Sequence, residues 1–343
     1  MKLSNLKILV TGGAGFIGSH LVDALIEKNN QLIVLDDFSS GKKSNLAQAS
    51  ASGKLEIFDQ CILNYQEIYP LFSEVDVVFH MATRNVRLSL KQPTIVHDVN
   101  TTGTLNVLKA AKGNGVQKFL YCSSSEVNGT AVKVPMKEDY AYNPETIYGA
   151  SKLTGEYYTQ VFERSGWLNT VIARPHNNYG PREHWEGMLG EVIPRFILMG
   201  LLNEKPTIFG DGKQTRDFTY VTETVRHLIA ITENDQCRGE IFNICKGNEV
   251  SVLDIAKIIS KQLGRELDPV FLKSRPSDVL RLFGDNSKLK EFVSSAPEMD
   301  IEEGMQLTID WFKENIDLEM VKGSEKLADI NWDKLDSEPW LEG

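Results

Sequence analysis

The sequence predicts an α/β fold, a doubly wound parallel sheet with a smaller C-terminal lobe. Two observations carry that prediction. Short β-branched runs alternate with longer helical patterns through the first half of the chain, as strand–helix–strand crossovers require. Several of those runs are apolar at successive positions, which fits parallel strands covered on both faces.

Five runs read as strands, at 7–11 (KILVT), 31–35 (QLIVL), 54–58 (KLEIF), 75–79 (VDVVF) and 117–121 (QKFLY). Helical patterns lie at 16–28, 94–112 and 147–165, and LNTVIA at 168–173 is a sixth strand. Beyond residue 174 the rhythm changes. Loops rich in Gly, Pro, Arg and Asn at 174–190, 203–217 and 272–285 alternate with helices near 187–200, 221–234, 251–263 and 301–317. The expected division is a cofactor-binding domain at 1–174 with short returns from later segments, a substrate-binding lobe at 175–320, and a tail at 321–343. That tail is acidic and carries Trp332 and Trp340.

The chain has 343 residues, of which 41% are hydrophobic and 24% charged, a globular balance. A net charge of −10 argues against nucleic acid or an anionic membrane as partner. The four cysteines, Cys61, Cys122, Cys237 and Cys245, have no CxxC spacing, so neither a disulfide framework nor a metal site is expected. The most apolar stretch, FILMGLL at 196–202, is too short to span a bilayer. No cleavable leader pattern precedes the first strand, and a cytoplasmic location is expected.

TGGAGFIG at 11–18 sets Gly12, Gly15 and Gly18 between the first strand and the first helix. The first glycine permits a tight turn, the second lets backbone approach a pyrophosphate, and the third lets helix and strand pack closely. N–H groups at the helix start then face the phosphates. Asp36 closes the second strand, 18 residues beyond Gly18. A carboxylate there accepts from the adenosine ribose hydroxyls and repels a 2′-phosphate, which favours NAD; neighbouring Lys42 and Lys43 leave room for NADP. This is a Rossmann-type signature.

YGASK at 148–152 puts Tyr148 and Lys152 on one helical face. To act as a base near neutrality, a phenol must fall from about 10 to about 7. A nearby ammonium and a positive nicotinamide ring both favour the phenolate. YCSSSEVNG at 121–129 ends the fifth strand, on the sheet edge where such folds place ligands. There Ser124 is positioned to hydrogen-bond both the reacting oxygen and Tyr148.

In this order TGGAGFIG, LDDFSSGK, HMAT (80–83), NTTGTLNVL (100–108), SSSEV, YGASK, RPHNNYGPR (174–182), FGDGKQTRDFTYV (209–221) and RPSDV (275–279) resemble an extended short-chain dehydrogenase/reductase. The type is the NAD-dependent nucleotide-sugar epimerase/dehydratase, over roughly residues 6–320. The resemblance implies a catalytic triad of Ser124, Tyr148 and Lys152. It implies cofactor contacts from Phe16, Ile17, Asp37, Ser40, Gly41, Ile62 and Met81, with Ala82 and Pro175 beside the nicotinamide. Asn100 resembles a family helix asparagine near the active site. Asn177 and Arg182 would face the sugar diphosphate, and Arg216 and Arg275 would clamp the phosphates with forked donors. The partner implied is a nucleotide-diphosphate sugar, a UDP-sugar first, in a homodimer paired through the helices at 94–112 and 147–165. The chain departs from the pattern at Cys61, before Ile62, where an acid usually stands at the adenine. It departs again at Asn128, where a tyrosine is commoner, and at His176, which contacts the sugar or fills space.

Oxidation at C4 gives a 4-keto sugar that can be epimerised, dehydrated or, from a hexuronate, decarboxylated. Glu126 beside the triad is a candidate base for the C5 proton, or else a structural carboxylate. Ser125 stands where many hexose dehydratases carry an acid, and Arg87 or Arg182 could hold a hexuronate carboxylate. The sequence thus ranks a lyase, either 4,6-dehydratase or UDP-hexuronate decarboxylase, slightly above a UDP-sugar 4-epimerase. A reductase of non-nucleotide substrates is the remote alternative.

Overall fold

A computed structural model describes residues 1–274, 280–323 and 327. Seven parallel strands form the central sheet: β1 (Lys7–Thr11), β2 (Gln31–Asp36), β3 (Leu55–Asp59), β4 (Val77–His80), β5 (Lys118–Cys122), β6 (Thr170–Pro175) and β7 (Ile241–Ile244). Their order is β7-β6-β5-β4-β1-β2-β3, and all pairings are parallel. The six strands expected from the sequence form within one to two residues of their predicted bounds. The seventh was not foreseen. IFNI is only four residues long and follows the change of rhythm, so nothing local marks it as belonging to the first sheet.

Seven longer helices flank the sheet and build the lobe: α1 (Phe16–Ile26), α2 (Thr104–Gly113), α3 (Ile147–Arg164), α4 (Val192–Leu202), α5 (Val221–Glu233), α6 (Val252–Leu263) and α7 (Ile301–Asn315). The helix expected over 94–112 is three pieces. Pro93–His97 and α2 are joined by a π-helical segment, Asp98–Gly103. The register change places Asn100 in the interior, 1% exposed, and π segments of this kind concentrate at functional sites. The helix expected from 187 begins only at Val192, after a short turn at Gly187–Leu189. The loop expected at 203–217 holds two short strands, Thr207–Phe209 and Thr215–Arg216. The acidic tail's two tryptophans lie outside the described residues.

Both sheet faces are covered. One core cluster packs Ile8, Val10, Leu21, Val22, Val34, Val225 and Leu228 between the strands, α1 and α5. The opposite cluster packs Leu9, Ile33, Val78, Val107, Leu108 and Phe119, so successive residues of β1 and β2 feed opposite cores. The lobe has its own core, in which Phe196, Ile197, Ile255, Ile259, Ile309 and Phe312 join α4, α6 and α7. Among the described residues no helix is long and apolar enough to cross a membrane.

The direction of winding reverses between β1 and β4, and a cleft opens at their carboxyl ends, as the topology demands. The glycine turn is pressed into that cleft. Gly12 has φ +67°, and a Cβ there would come within 2.7 Å of the Ala82 backbone. At Gly18 a Cβ would lie 2.1 Å from the Gly12 carbonyl oxygen, an immovable backbone atom. We therefore expect Gly18→Ala to lower stability by about 1–3 kcal/mol through overpacking and to weaken dinucleotide binding. Denaturant unfolding and a cofactor titration check this; wild-type values in both would mean the turn relaxes freely.

Candidate active site

A cavity of about 520 Å³ runs along the carboxyl edge of the sheet from the glycine turn to the start of α4. At one end it is lined by Gly12, Gly15, Phe16, Ile17 and Gly18. Gly15 caps α1 without a side-chain hydrogen bond, and the first turn carries no acid. The N–H groups there need an outside acceptor, and the positive end of the helix favours an anion. This cradle fits a dinucleotide pyrophosphate.

Asp36, Asp37, Ser40 and Ile62 line the same end. Asp36 is 7% exposed; its carboxylate accepts from the Ala14 N–H at 2.9 Å and the Phe38 N–H at 2.9 Å. Burial raises its pKa against those two bonds. Gly41 lies beneath the carboxylate rather than in the cavity: a Cβ there would sit 2.9 Å from the Asp36 oxygen. Lys42 and Lys43 pair with Glu186 and Asp59, and Asp59 is the β3 neighbour of Asp36. Ile62 lines the cavity beside Cys61, which is half-buried and does not.

Met81 and Ala82 follow β4 and form the middle of the cavity. Both of their N–H groups donate to the Thr11 hydroxyl at 3.1 Å. Thr11 therefore turns its proton to Nδ1 of His80, 2.7 Å away. Burial lowers the His80 pKa to about 3, and the neutral ring donates from Nε2 to Thr104 at 2.9 Å. Asn100 is not in the cavity wall. Its amide grips the Arg84 backbone, accepting from the N–H at 2.8 Å and donating to the carbonyl at 3.1 Å, and donates to Ser151 at 3.0 Å. Arg84, which no quoted motif includes, does line the cavity and holds Asp37 with its two terminal guanidinium nitrogens.

Ser124, Ser125, Glu126, Tyr148, Lys152 and Pro175 come together in the same cavity. Ser124 caps the short turn Ser125–Val127, accepting from the Glu126 N–H at 3.2 Å. That leaves its proton for the Tyr148 oxygen, a bond that favours the phenolate. Tyr148 is only partly buried by exposure, yet its phenol end is densely enclosed. Contrary to the expected depression, that burial pushes its pKa above the ordinary tyrosine value, with the charges of Glu126 and Glu191 adding to the rise. Lys152 lies over the Tyr121 ring, 4.7 Å from its centroid, and burial lowers its pKa to about 8.

The residue that fixes this wall was not foreseen. Glu156, one turn beyond Lys152 on α3, is fully buried and accepts from Arg174 at 2.7 Å through both carboxylate oxygens. It also accepts from the Ser123 hydroxyl. Arg174 donates further to the Glu138 carbonyl at 2.9 Å and the Tyr142 hydroxyl at 2.8 Å. A charged residue inside the apolar run VIARP was the available signal, because a buried cation requires a partner. Small residues let the elements close up. A Cβ at Gly149 would approach the Glu126 carbonyl to 2.6 Å, and one at Gly155 the Tyr121 hydroxyl to 2.1 Å. Asn128, the departure from the common tyrosine, is 2% exposed and donates to the Tyr140 and Ala141 carbonyls.

Of the candidate substrate residues among the described ones, Arg87, Asn177, Arg182 and Arg216, only Asn177 lines the cavity. Arg87 pairs with Glu191 at 2.8 Å. Arg182, at φ +64°, pairs with Asp23 of α1 at 2.7 Å. Arg216 sits in a two-residue strand paired with Val250–Ser251, its guanidinium donating to the Thr215 carbonyl at 2.9 Å. Arg275 lies outside the described residues. His176 lines the cavity but is 5% exposed, and burial lowers its pKa to about 3. Glu191 and His184 line the cavity and were not singled out from the sequence; neither belongs to a spaced motif.

Residues 8–245 match the model of the NAD dependent epimerase/dehydratase family. The chain belongs to that family. A putative UDP-glucose 4-epimerase of Methanocaldococcus jannaschii is 38% identical over 311 residues, 90% of this chain and 99% of that protein. UDP-glucuronic acid decarboxylase 1 of Arabidopsis thaliana is 33% identical over 317 residues, 91% of this chain and 71% of that protein. Among solved structures, UDP-N-acetylglucosamine 4-epimerase from Methanobrevibacter ruminantium superposes with a TM-score of 0.86 at 34% identity, covering 91% of this chain and all of that one. These relatives carry two of the three activities weighed from the sequence, epimerisation and decarboxylation. These relatives favour the 4-epimerase alternative over the lyase that Glu126 suggested.

Two predictions follow from this geometry. Arg174→Met leaves Glu156 buried and unpaired, and should cost about 3–5 kcal/mol of stability, read by denaturant unfolding. Arg174→Met combined with Glu156→Met should recover much of that loss. The second concerns Lys152, whose folded-state pKa of about 8 lies below its ordinary 10.5. The cost of burying its charge is full below about pH 8 and fades as pH rises toward 10.5. Lys152→Met should raise the Tm at pH 7 and lose that advantage by pH 10.

Proposed function

We propose that the chain is a UDP-sugar 4-epimerase working through a transient 4-keto sugar. The observation that carries this reading is the convergence of Tyr148, Ser124 and Lys152 on one wall of a cavity whose other end is the uncapped glycine turn. Tyr148 takes the C4 hydroxyl proton and returns it once the opposite face of the ketone is presented. Ser124 donates to the reacting oxygen, and Lys152 supplies positive charge behind the phenol. Bound NAD supplies the hydride acceptor and, while oxidised, a positive ring that opposes the burial holding Tyr148 neutral. Gly12, Gly15, Gly18, Asp36 and Ala82 would hold it, with Asp36 selecting NAD over NADP.

Two features set this reading above a lyase. Dehydration needs an acid for the departing hydroxyl, and Ser125 is an alcohol, 4% exposed. Binding a hexuronate calls for a cation at its carboxylate, and the two candidates, Arg87 and Arg182, already hold Glu191 and Asp23. A decarboxylase is the second reading, favoured by Glu126 lining the cavity beside the triad. Arg216 and Arg275 are the proposed phosphate clamp. A homodimer through the helical segments at 94–112 and 147–165 is supported by Ile147, Tyr157 and Val161, which are exposed along α3.

The test is product analysis by mass spectrometry and NMR after incubating the NAD-loaded protein with UDP-glucose and UDP-N-acetylglucosamine in D2O. The expected product has unchanged mass, inverted C4 and no deuterium at C5. Loss of water, or of CO2 from UDP-glucuronate, would move the chain to the lyase branch. Tyr148→Phe should reduce turnover by about 10²–10⁴-fold with NAD still bound; undiminished turnover would remove Tyr148 from the chemistry.

A further inference from the structure

From the charges around the sugar end of the cavity, we infer that the Arg87–Glu191 pair is a charge gate that admits neutral hexoses and turns away hexuronates. This deepens the 4-epimerase reading and rests on it for the identity of the reacting sugar. Arg87 lies in the short helix Val86–Ser89 after β4, while Glu191 is the residue that caps α4 in the lobe. Their ion pair, 2.8 Å, and the 3.4 Å bond from Arg87 to the Leu189 carbonyl therefore join the two walls across the cleft. Arg87 is not itself in the cavity lining; Glu191 is, together with Glu126, Ser124 and Tyr148. A pyranose presenting C4 to Tyr148 thus enters a space lined by two carboxylates, Glu126 and Glu191, whose charges both reach the phenol.

The cations there are committed. Among the described residues lining the cavity, the only lysine or arginine side chains are Arg84 and Lys152. Arg84 is held in a forked pair by Asp37 at the other end, and Lys152 stands behind the phenol. His176 is held neutral by burial, and burial lowers the His184 pKa as well. A hexuronate could recruit Arg87 only by displacing Glu191. That would strand Glu191 beside Glu183, a buried acid already driven well above the ordinary glutamate range by burial and by Glu191 itself. A hydroxymethyl or acetamido sugar carries no charge and is indifferent to the pair, apart from hydrogen bonds to the Glu191 carboxylate.

The decisive measurement is calorimetric binding of UDP-glucose and UDP-glucuronate to the NAD-loaded protein, with 4-epimerisation of each followed in parallel. Wild type should bind UDP-glucose at least about tenfold more tightly, the scale expected of Coulomb repulsion between partly buried carboxylates. Glu191→Gln removes the repelling charge and frees Arg87, and should shrink that ratio by about tenfold or more by improving UDP-glucuronate. Arg87→Gln should act in the opposite sense, weakening UDP-glucuronate further, so a poorly folding Glu191 variant leaves the idea exposed to refutation. A wild-type ratio near one, or a ratio that Glu191→Gln leaves in place, overturns the gate. Tighter UDP-glucuronate binding in Arg87→Gln does the same. Should the binding ratios behave as expected while neither sugar is inverted at C4, the gate stands and the 4-epimerase reading falls.

Discussion

The carboxylate of Glu156 is the point on which the reactive wall depends. It receives Arg174 from β6 and Ser123 from just after β5, with Glu156 and Arg174 wholly out of solvent, and it sits four residues beyond Lys152 on α3. Those bonds fix how far α3 lies along the sheet edge and which face it turns inward. Without them the tyrosine and lysine would ride on a helix held only by apolar contacts, which specify position less sharply than directional bonds to charged groups do. The desolvation cost of such a pair is large, and the benefit is orientation rather than net stability.

From that fixed edge the rest of the cavity follows by connection. Asn100 links the loop after β4 to α3 through Ser151, and the loop reaches Asp37 through Arg84. The adenosine end and the phenol end are therefore tied by one continuous set of hydrogen bonds along the carboxyl edge of the sheet. The electrostatics of the phenol end are set by enclosure. Tyrosine, lysine and two histidines are all pushed toward their neutral forms there. A charged ligand entering such a place changes the protonation of its neighbours more than it would at an open surface.

Much of this was legible in the chain and some was not, for physical reasons. Strand runs and the glycine turn depend on local pattern and backbone need, so six strands and the cradle could be read directly. The triad residues were legible because one helical turn separates Tyr148 from Lys152 and a strand end presents Ser124. The seventh strand escaped because its partner, β6, lies some seventy residues earlier in sequence. The ion-pair partners of the arginines were the least legible. Arg182 has a flexible stem and a choice of anions, and Asp23 on α1 is invisible from its own motif. The depression expected of Tyr148 rested on the ammonium and the positive nicotinamide ring together, and left out the burial that opposes both.

The seam formed by Gly149 and Gly155 bears on how loss-of-function variants of this chain should be interpreted. Neither residue has a side chain to touch a ligand, yet each sets the spacing between α3 and what lies beneath it, the Glu126 carbonyl and the Tyr121 hydroxyl. Contacts that short cannot stand, so an added methyl would force α3 or the group beneath it to move, more at Gly155 than at Gly149, and such a displacement disturbs proton transfer as well as packing. Inactive variants will therefore cluster along this seam as well as among the reacting groups, and a map of dead positions alone would overcount the chemical participants.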